Sequence, residues 1–273
     1  MANLKNTIIN DTQFLQLPKG TTAQRPLNPS FGMMRFNTTF SKVEFFDGEK
    51  WIFSSFLVDL DSLELFLDAS DPISYPGSGN TWFDISGNGR NGTIINNVGF
   101  NSSLGEGSFV FSNSNHYIDL TSIAIPSIWN SNFTGIFWIR WTGTVTSGIF
   151  GFQGSPSNFH FEIRSPNAIR LRDRNMSDIV VSNVLTTNTW LQLSFTRTGD
   201  TYRVYVNGNQ VGSRTQSPGN VTFNQNPTIG ESHWPIGARP FAGAIATAQF
   251  YSKAFSAEDI QNNYEIFRNR FGV

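Results

Sequence analysis

The chain of 273 residues contains no cysteine, so no disulfide can stabilise its fold, and the redox compartment is left open. Charged residues make up only 14% of it and the formal net charge is −1, which argues against a basic surface for nucleic acid or anionic membranes. No apolar run approaches the ~20 residues that span a bilayer. The first residues also lack the basic and apolar regions of a secretory signal. We expect no nucleic-acid partner, no membrane insertion and no export by the usual signal.

Groups that carry catalysis are also scarce. The chain has three histidines and neither the G-x-S-x-G nor the H-E-x-x-H motif. Glycoside hydrolysis needs two carboxylates that flank the scissile bond. The nearest approach to such a set is Asp59, Asp61 and Glu64, in a predicted linker and the strand after it. The sequence therefore predicts no catalytic residues and a protein that is not an enzyme.

Glycine (24 residues), phenylalanine (26 residues) and asparagine are plentiful, which is typical of many short strands joined by tight turns. From Leu63 to Phe255 the pattern predicts one strand after another. Phe133–Trp141 is apolar on both faces, as a central strand is, and Asn207-Gly208 is a strong hairpin signal. We expect Ser108–Phe111 and His116–Leu120 to pair with each other.

One helix is predicted, at the C-terminal end. Ser256 suits an N-cap, and Asp259 stands three residues later, in the capping-box position. Ile260, Tyr264 and Phe267 follow at helical spacing and form one apolar face. The sequence thus predicts an all-β fold, a two-sheet β-sandwich or jelly roll, with a C-terminal helix packed against it.

A smaller unit precedes the sandwich. Residues 31–53 contain three short apolar-rich runs, with the turn signal Asp47-Gly48 before the last, and they predict a three-stranded β-meander. Three prolines interrupt the segment ahead of it, and because proline disfavours both helix and central strand we expect an irregular arm. The predicted domains are an anchoring and oligomerisation module over 1–56 and the sandwich over 57–273.

The small unit carries more apolar surface than three short strands can bury. Exposed apolar patches of that size usually mark interfaces, so we expect the protein to form a homo-oligomer through this unit. The predicted interface residues are aromatic: Phe31, Phe40, Phe45, Phe46 and Trp51.

Three separated motifs resemble a known family. They are DISGNGRNGTI at 84–94, RVYVNGNQVG at 203–212, and FAGAIATAQFYSKAFSAEDIQNNYEIF at 241–267. Together they resemble the concanavalin A-like, laminin-G-type jelly roll, and the resemblance covers 60–273. The segment 17–51 is similar to a module of tailed-phage fibre and other virion proteins. The combination implies a bacteriophage virion protein with a lectin-like domain, and, by analogy with threefold fibres, a trimer.

One loop offers oxygen ligands for a cation. Asp84, Ser86, Asn88 and Asn91 present side-chain oxygens at short spacing, which is compatible with Ca²⁺. Tight turns use the same residue types, because their side chains accept hydrogen bonds from nearby backbone N–H groups. A calcium site takes about 6–8 oxygens, and the acidic residue that often follows the final G-x-I in this family is replaced here by Ala246. A structural turn is the favoured interpretation, and a calcium site is the alternative.

A second loop, Gly230–Pro240, combines groups that bind sugars. His233, Trp234 and Arg239 offer an aromatic face for the apolar side of a sugar ring and donors for its hydroxyl groups. They form the predicted glycan-binding site. The alternative, slightly favoured by the pattern, is that Trp234 folds back to cover a sheet edge.

The hairpin over 159–172 is predicted to have one apolar and one charged face. Glu162, Arg164, Arg170 and Arg172 fall on the charged face by their alternation. Such a face could line a groove for an anionic polysaccharide. More often it is solvated or packed in a subunit interface, and that is the interpretation we favour from the sequence.

The resemblance implies a virion structural protein, a fibre or surface adhesin assembled in the host cytoplasm, whose lectin-like domain binds host-surface polysaccharide. Its N-terminal module would contact other virion proteins. Two alternatives stay open: a purely structural head or tail decoration protein without glycan binding, and, with less support, a polysaccharide-degrading enzyme.

Overall fold

The structure is a computed structural model that describes residues 16–39, 42–46, 48–49, 51–53, 59–112, 115–123, 129, 132–143, 146–153, 158–164, 166–173, 176–217, 226–232 and 235–273. Four residues used in the predictions lie outside the described residues: Phe40, Asp47, His233 and Trp234. The chain divides into two units, Met1–Leu57 and Val58–Val273, and each is described by itself.

The described part of the N-terminal unit forms a four-stranded β-sheet. Its strands, in both chain and sheet order, are β1 (Lys19–Gly20), β2 (Met34–Asn37), β3 (Lys42–Phe46) and β4 (Trp51–Phe53). Antiparallel pairing of β2, β3 and β4 confirms the predicted meander. The segment ahead of it is irregular except at Lys19–Gly20, where β1 pairs parallel to β2, and at the 3-10 turn Thr22–Gln24. Pro18 permits this pairing, since it only accepts a hydrogen bond, from the backbone N–H of Phe36 (2.8 Å).

A buried ion cluster holds this small sheet together. The Glu44 carboxylate is fully buried and accepts hydrogen bonds from Arg25 Nη2 (2.6 Å) and Asn37 Nδ2 (2.9 Å). Arg35 Nε lies 3.6 Å from the same carboxylate. Burial by itself raises the pKa of Glu44, but the hydrogen bonds and the two guanidinium charges outweigh it, so the pKa lies below its usual value. The sheet thus depends on an ionised carboxylate at its centre.

The second unit is a β-sandwich whose strands follow one another from Leu63 to Tyr251. They are β5 (Leu63–Asp68), β6 (Thr81–Trp82), β7 (Gly92–Ile95), β8 (Gly99–Asn101), β9 (Ser108–Phe111), β10 (Tyr117–Asp119), β11 (Asn132–Trp141), β12 (Ser147–Gln153), β13 (Asn158–Arg164), β14 (Ala168–Asp173), β15 (Ile179–Val181), β16 (Trp190–Thr198), β17 (Thr201–Val206), β18 (Asn209–Thr215), β19 (Thr228–Ile229) and β20 (Gly243–Tyr251). Short 3-10 helices occur at Thr22–Gln24 in the first unit and at Leu104–Glu106 and Thr121–Ile123 in the second.

These strands form two sheets, each with eight strands among the described residues. The front sheet has the order β15-β14-β13-β12-β19-β10-β7-β6. The back sheet has the order β18-β17-β16-β11-β20-β9-β8, with β5 also paired to β20. Aromatic side chains fill the space between them; for example, the ring of Phe137 on β11 lies 6.1 Å from that of Phe161 on β13. The predicted all-β sandwich is confirmed.

One predicted pairing is wrong. β9 and β10 were expected to pair with each other, but β9 pairs with β8 and β20 in the back sheet. β10 pairs with β7 and β19 in the front sheet. The chain crosses the sandwich between them, and alternation within a strand carries no information about which sheet the strand joins.

The helix α1 (Ala257–Phe271) begins where the capping box predicts. The Ser256 hydroxyl accepts a hydrogen bond from Asp259 N (3.1 Å), and the Asp259 carboxylate accepts one from Ser256 N (3.0 Å). The ring of Trp138 on β11 stacks on those of Tyr264 and Phe271, with centroids 5.7 and 4.3 Å away. The helix therefore covers the outer face of the back sheet.

A buried amide network completes this contact. Asn263 is fully buried; it accepts a hydrogen bond from Gln192 Nε2 (2.9 Å) and donates one to Gln249 Oε1 (2.8 Å). It thereby joins the helix to β16 and β20.

Among the described residues, no helix combines the length and apolar character that crossing a membrane requires.

Candidate functional site

The outer face of the front sheet carries a cluster of charged side chains. β13 and β14 pair antiparallel with Glu162 opposite Arg170 and His160 opposite Arg172. Because side chains alternate along a strand, the phenylalanines of β13 point into the sandwich and these charged residues point away from it. We call Arg164, Arg170, Arg172 and Arg239 the arginine face.

Glu162 is the centre of the cluster. Its side chain is fully buried, and its carboxylate accepts hydrogen bonds from Arg170 Nη1, Arg239 Nη1 (2.9 Å) and the Ser232 hydroxyl (3.1 Å). The buried Arg170 also donates through Nε to Asp178 (2.8 Å). A buried charge is tolerated only when it is paired and hydrogen-bonded, and these contacts meet that condition.

The loop 230–240 is built around a second buried carboxylate. Glu231 accepts hydrogen bonds from the backbone N–H groups of Ser232 (2.8 Å), Gly237 (2.8 Å) and Arg239 (3.1 Å). These backbone N–H dipoles stabilise its negative charge. This arrangement fixes Arg239 where its guanidinium reaches Glu162.

The loop backbone lies directly on the sheet at two glycines of β12. A Cβ atom at Gly148 would lie 2.3 Å from Ser232 N, and one at Gly151 would lie 2.6 Å from Ser232 O. Neither distance is compatible with a side chain. Glycine within a strand often marks such a close approach, so the G-x-x-G spacing in β12 was a usable signal for this contact. The sequence analysis missed it, together with Glu231 and Ser232.

Two predicted features prove to be one surface. The sequence placed Arg239 in a recognition loop and Glu162 and Arg170 on a separate charged face, but the structure joins them. The expectation that the charged face is solvated or packed in a subunit interface is wrong for Glu162 and Arg170, which are buried within the single chain. Arg239 of the loop contacts Glu162, and Arg170 pairs with Glu162 and Asp178. His233 and Trp234 of the predicted site lie outside the described residues.

The residues of the predicted calcium loop do come together, and their oxygens meet donors of the protein. Asp84 Oδ1 accepts hydrogen bonds from the backbone N–H groups of Phe66 (3.0 Å) and Ser86 (2.9 Å). Asp84 Oδ2 accepts from the Ser86 hydroxyl (2.8 Å) and from Arg90 N (2.9 Å).

The two asparagines of this loop are engaged as well. Asn91 Oδ1 accepts from Asp84 N (2.9 Å), and Asn88 donates to the carbonyl oxygen of Leu63 (2.8 Å). Within the described residues, no group of three or more His, Asp or Glu side chains is arranged to hold a metal ion. The geometry is that of a hydrogen-bonded turn, and the calcium interpretation stays a prediction.

The predicted interface residues of the N-terminal unit differ in exposure. Phe31 is 81% exposed, whereas Phe45, Phe46 and Trp51 are partly buried. The rings of Phe46 and Trp51 contact each other at a centroid distance of 5.7 Å. Leu27, which the sequence analysis did not single out, is 98% exposed. The described part of this unit thus presents apolar side chains to solvent.

A family comparison identifies the sandwich. Residues 111–261 match the family model described as the Concanavalin A-like lectin/glucanases superfamily. These residues are more than half of the 273-residue chain, so the protein belongs to this superfamily. The match confirms the jelly-roll resemblance, while the virion part of that resemblance stays a prediction. No curated protein sequence matches the chain.

Solved structures show the same fold at low sequence identity. The binding domain of Paraclostridial Mosquitocidal Protein 1 is 18% identical over 77% of this chain and 53% of that one, with a TM-score of 0.59. The receptor binding domain of botulinum neurotoxin C/D mosaic serotype is 22% identical over 76% and 52%, with a TM-score of 0.57. This chain therefore spans about half the length of these toxin domains.

A third structure is covered almost completely. It is domain 4 of an extracellular GH43 arabinanase from Geobacillus stearothermophilus, solved in complex with arabinotriose. It is 20% identical over 74% of this chain and 97% of that domain, with a TM-score of 0.56. At such identities these likenesses establish the fold and nothing more.

Proposed function

We propose that the protein is a carbohydrate-binding protein and that it binds through the arginine face and the loop 230–240. The observation that carries the proposal is the hydrogen bond from Arg239 to Glu162 (2.9 Å), which joins the loop and the sheet into one polar surface. Guanidinium groups held in place by buried partners are pre-organised donors for sugar hydroxyl and carboxylate groups. Membership of a lectin and glucanase superfamily and the arabinotriose complex of a structural neighbour support the same function.

We propose binding without catalysis. A glycosidase needs a carboxylic acid that can reach the glycosidic oxygen and a second carboxylate beside it. Glu162 and Glu231 on this face are both buried, and each accepts hydrogen bonds from donors of the protein. Asp178, which is more exposed, accepts a hydrogen bond from Arg170. These carboxylates serve to position the arginines.

We also propose that this surface belongs to a bacteriophage virion protein, a fibre or surface adhesin that contacts host polysaccharide. The N-terminal unit anchors it to other virion proteins and forms the homo-oligomer, with a trimer as the expected state. The support for this part is the similarity of 17–51 to a virion module and the exposure of Leu27 and Phe31. A purely structural decoration protein is the second candidate.

A glycan array and a whole-cell binding assay with the full chain test the function. Trp234→Ala combined with Arg239→Gln should weaken binding, whereas Arg203→Gln on β17 removes the same charge from the other sheet and should leave binding intact. Unchanged binding by the double variant, with unchanged melting, would refute the site. A lack of binding to any glycan or cell would favour the decoration protein, and release of new reducing ends from host polysaccharide would show an enzyme.

A further inference from the structure

Among the residues that the structure describes, guanidinium groups outnumber carboxylates on the arginine face. Its four arginines face Glu162 and Asp178, and the carboxylate of Glu231 lies in the covering loop. His160 is also present, with Nδ1 at 4.0 Å from Glu162. Even with Glu231 counted as fully charged, the arginines exceed the carboxylates. This local excess of positive charge occurs in a chain whose formal net charge is −1.

The close contacts are not shared equally among the four arginines. Arg170 and Arg239 make the short hydrogen bonds to Glu162. Arg164 Nη1 stays 3.7 Å from Glu162, and Arg172 Nε stays 3.9 Å from Asp178. Both distances exceed that of a hydrogen bond. Within the part of the chain that the structure describes, these two guanidinium groups therefore make no short hydrogen bond to a carboxylate.

The same two arginines are the most exposed of the four. The Arg164 side chain is 43% exposed and that of Arg172 is 39% exposed, against 3% for Arg170. Exposed arginines at the edge of an ion cluster contribute little to stability. Arg164 and Arg172 lie beside carboxylates that already accept shorter hydrogen bonds from other donors, so their exposed guanidinium groups can contact a ligand.

Their spacing indicates the kind of ligand. Arg172 pairs across the strands with His160, and Arg164 stands four residues further along β13. At a rise of about 3.3 Å per residue, the two positions lie about 13 Å apart along the sheet. This is the separation of the two backbone positions, and a chain with recurring acidic groups can contact arginines at such a spacing.

We propose that the arginine face binds an acidic polysaccharide, and that Arg164 and Arg172 each take a separate carboxylate of the same glycan chain. Each guanidinium can donate two parallel hydrogen bonds to a carboxylate, a contact that lysine does not reproduce. Arg170 and Arg239, which are hydrogen-bonded to Glu162, line the surface beside these two contacts. The inference rests on the proposed function, because it specifies the class of glycan for the same surface.

The test compares carboxylated with neutral probes. Polysialic acid, polygalacturonate and hyaluronate are the carboxylated probes, and dextran, arabinan and galactomannan are the neutral ones. The full chain should bind at least one carboxylated probe and should prefer it to every neutral probe. Arg164→Gln with Arg172→Gln should weaken this binding about tenfold or more and leave the melting temperature unchanged. Added salt should weaken wild-type binding, because both contacts reach solvent.

A matched pair of arginines elsewhere provides the control. Arg203→Gln with Arg268→Gln removes two charges far from this face in sequence and should leave binding unchanged. An equal loss with this control pair would mean attraction to net charge alone and would overturn the inference. Binding of neutral probes only, unaffected by Arg164→Gln with Arg172→Gln, would overturn it and leave the proposed function standing. Binding to none of the six probes and to no glycan on the array would overturn both.

Discussion

The guanidinium of Arg239 donates a hydrogen bond to the buried carboxylate of Glu162 across 2.9 Å, although the two residues stand 77 positions apart in the sequence. The contact joins a loop that precedes β20 to a strand in the middle of the front sheet. Because Glu162 also pairs with Arg170, the shape of the surface and the folding of the sheet depend on the same carboxylate.

Replacing Glu162 should therefore destabilise the whole sandwich. Glu162→Gln keeps the shape of the side chain but leaves the buried Arg170 and the half-buried Arg239 with less counter-charge. Loss of one partner from a buried ion pair costs about 3–5 kcal/mol, and Asp178 compensates Arg170 in part, so we expect a loss of about 3 kcal/mol. Urea unfolding of the full chain measures it. Glu265→Gln breaks an exposed pair with Arg268 and should change stability by less than about 1 kcal/mol; equal effects would contradict the prediction.

The glycines under the loop should resist substitution. Gly148→Ala places a Cβ atom 2.3 Å from Ser232 N, so the loop has to move off the sheet. Overpacking of this kind costs about 1–3 kcal/mol, visible as a lower melting temperature. Gly99→Ala on β8 is the matched control, since its new Cβ would lie at an ordinary 3.5 Å from the Val110 carbonyl oxygen. Equal effects of the two substitutions would show that the loop backbone does not contact β12 at Gly148.

The buried amide of Asn263 should contribute more to the free energy of unfolding than the amide of Asn262. Asn263→Ala removes the acceptor of the buried Gln192 Nε2, while Gln249 Oε1 keeps the hydrogen bond from the Tyr251 hydroxyl (2.9 Å). A buried polar group left unpaired costs about 1–3 kcal/mol, so a loss of about 1–3 kcal/mol is expected in chemical denaturation. Asn262, the preceding residue of α1, is only partly buried, and Asn262→Ala should change stability by less than about 1 kcal/mol. A similar loss in both variants would show that the network contributes little.

The N-terminal unit should lose stability in acid. The pKa of Glu44 lies below its ordinary value in the folded state, because Arg25, Arg35 and Asn37 stabilise the ionised carboxylate. Its ion pairs therefore stabilise the unit fully above the unfolded-state pKa, and this contribution is lost as the pH falls through the lower folded-state value. Hydrogen exchange of 16–53, corrected for intrinsic rates, should show protection that decreases as the pH falls below the ordinary pKa of a glutamate and through the lower folded-state value. Glu44→Gln should be less protected at neutral pH and should respond less to acid; an identical response in both proteins would exclude Glu44 as the cause.

Association should depend on the exposed apolar residues of the N-terminal unit. Leu27→Ser with Phe31→Ser should lower the mass measured by light scattering toward the 30.5 kDa of one chain, because both side chains are exposed and their burial would drive association. Ile73→Ser with Val180→Ser removes two exposed apolar side chains from the sandwich and should leave the mass unchanged. If a chain lacking residues 1–56 assembles as the full chain does, the N-terminal unit has no part in assembly.

Features that depend on neighbours in the sequence were predictable. The N-cap at Ser256 needs only Asp259, three residues away, and both hydrogen bonds of the capping box form. The Asn207-Gly208 turn adopts the positive φ values, 48° and 79°, that its residue types favour. Alternation along β13 likewise gave the correct face for Glu162, because a strand has a strict period of two.

Features that depend on distant partners were not predictable in the same way. β9 and β10 have the pattern of a hairpin, yet β9 pairs with β8 and the distant β20, and β10 pairs with β7 and the distant β19. The burial of Glu162 depends on contacts with a loop about 70 residues further along the chain, and no residue near Glu162 in the sequence indicates those contacts. The arginines were visible as residue types, but which of them are already paired is a property of the folded cluster alone.

The backbone of Ser232 fills the space that side chains at Gly148 and Gly151 would occupy. A loop of new sequence can therefore be grafted onto this sandwich only if its first residues keep the same path and if both glycines are retained. Transplanting 230–240 alone into a relative with larger residues at those positions should fail, whereas exchanging it together with β12 should succeed. Loop and strand therefore have to be exchanged as one unit, in which the loop sequence can change while the two glycines stay fixed.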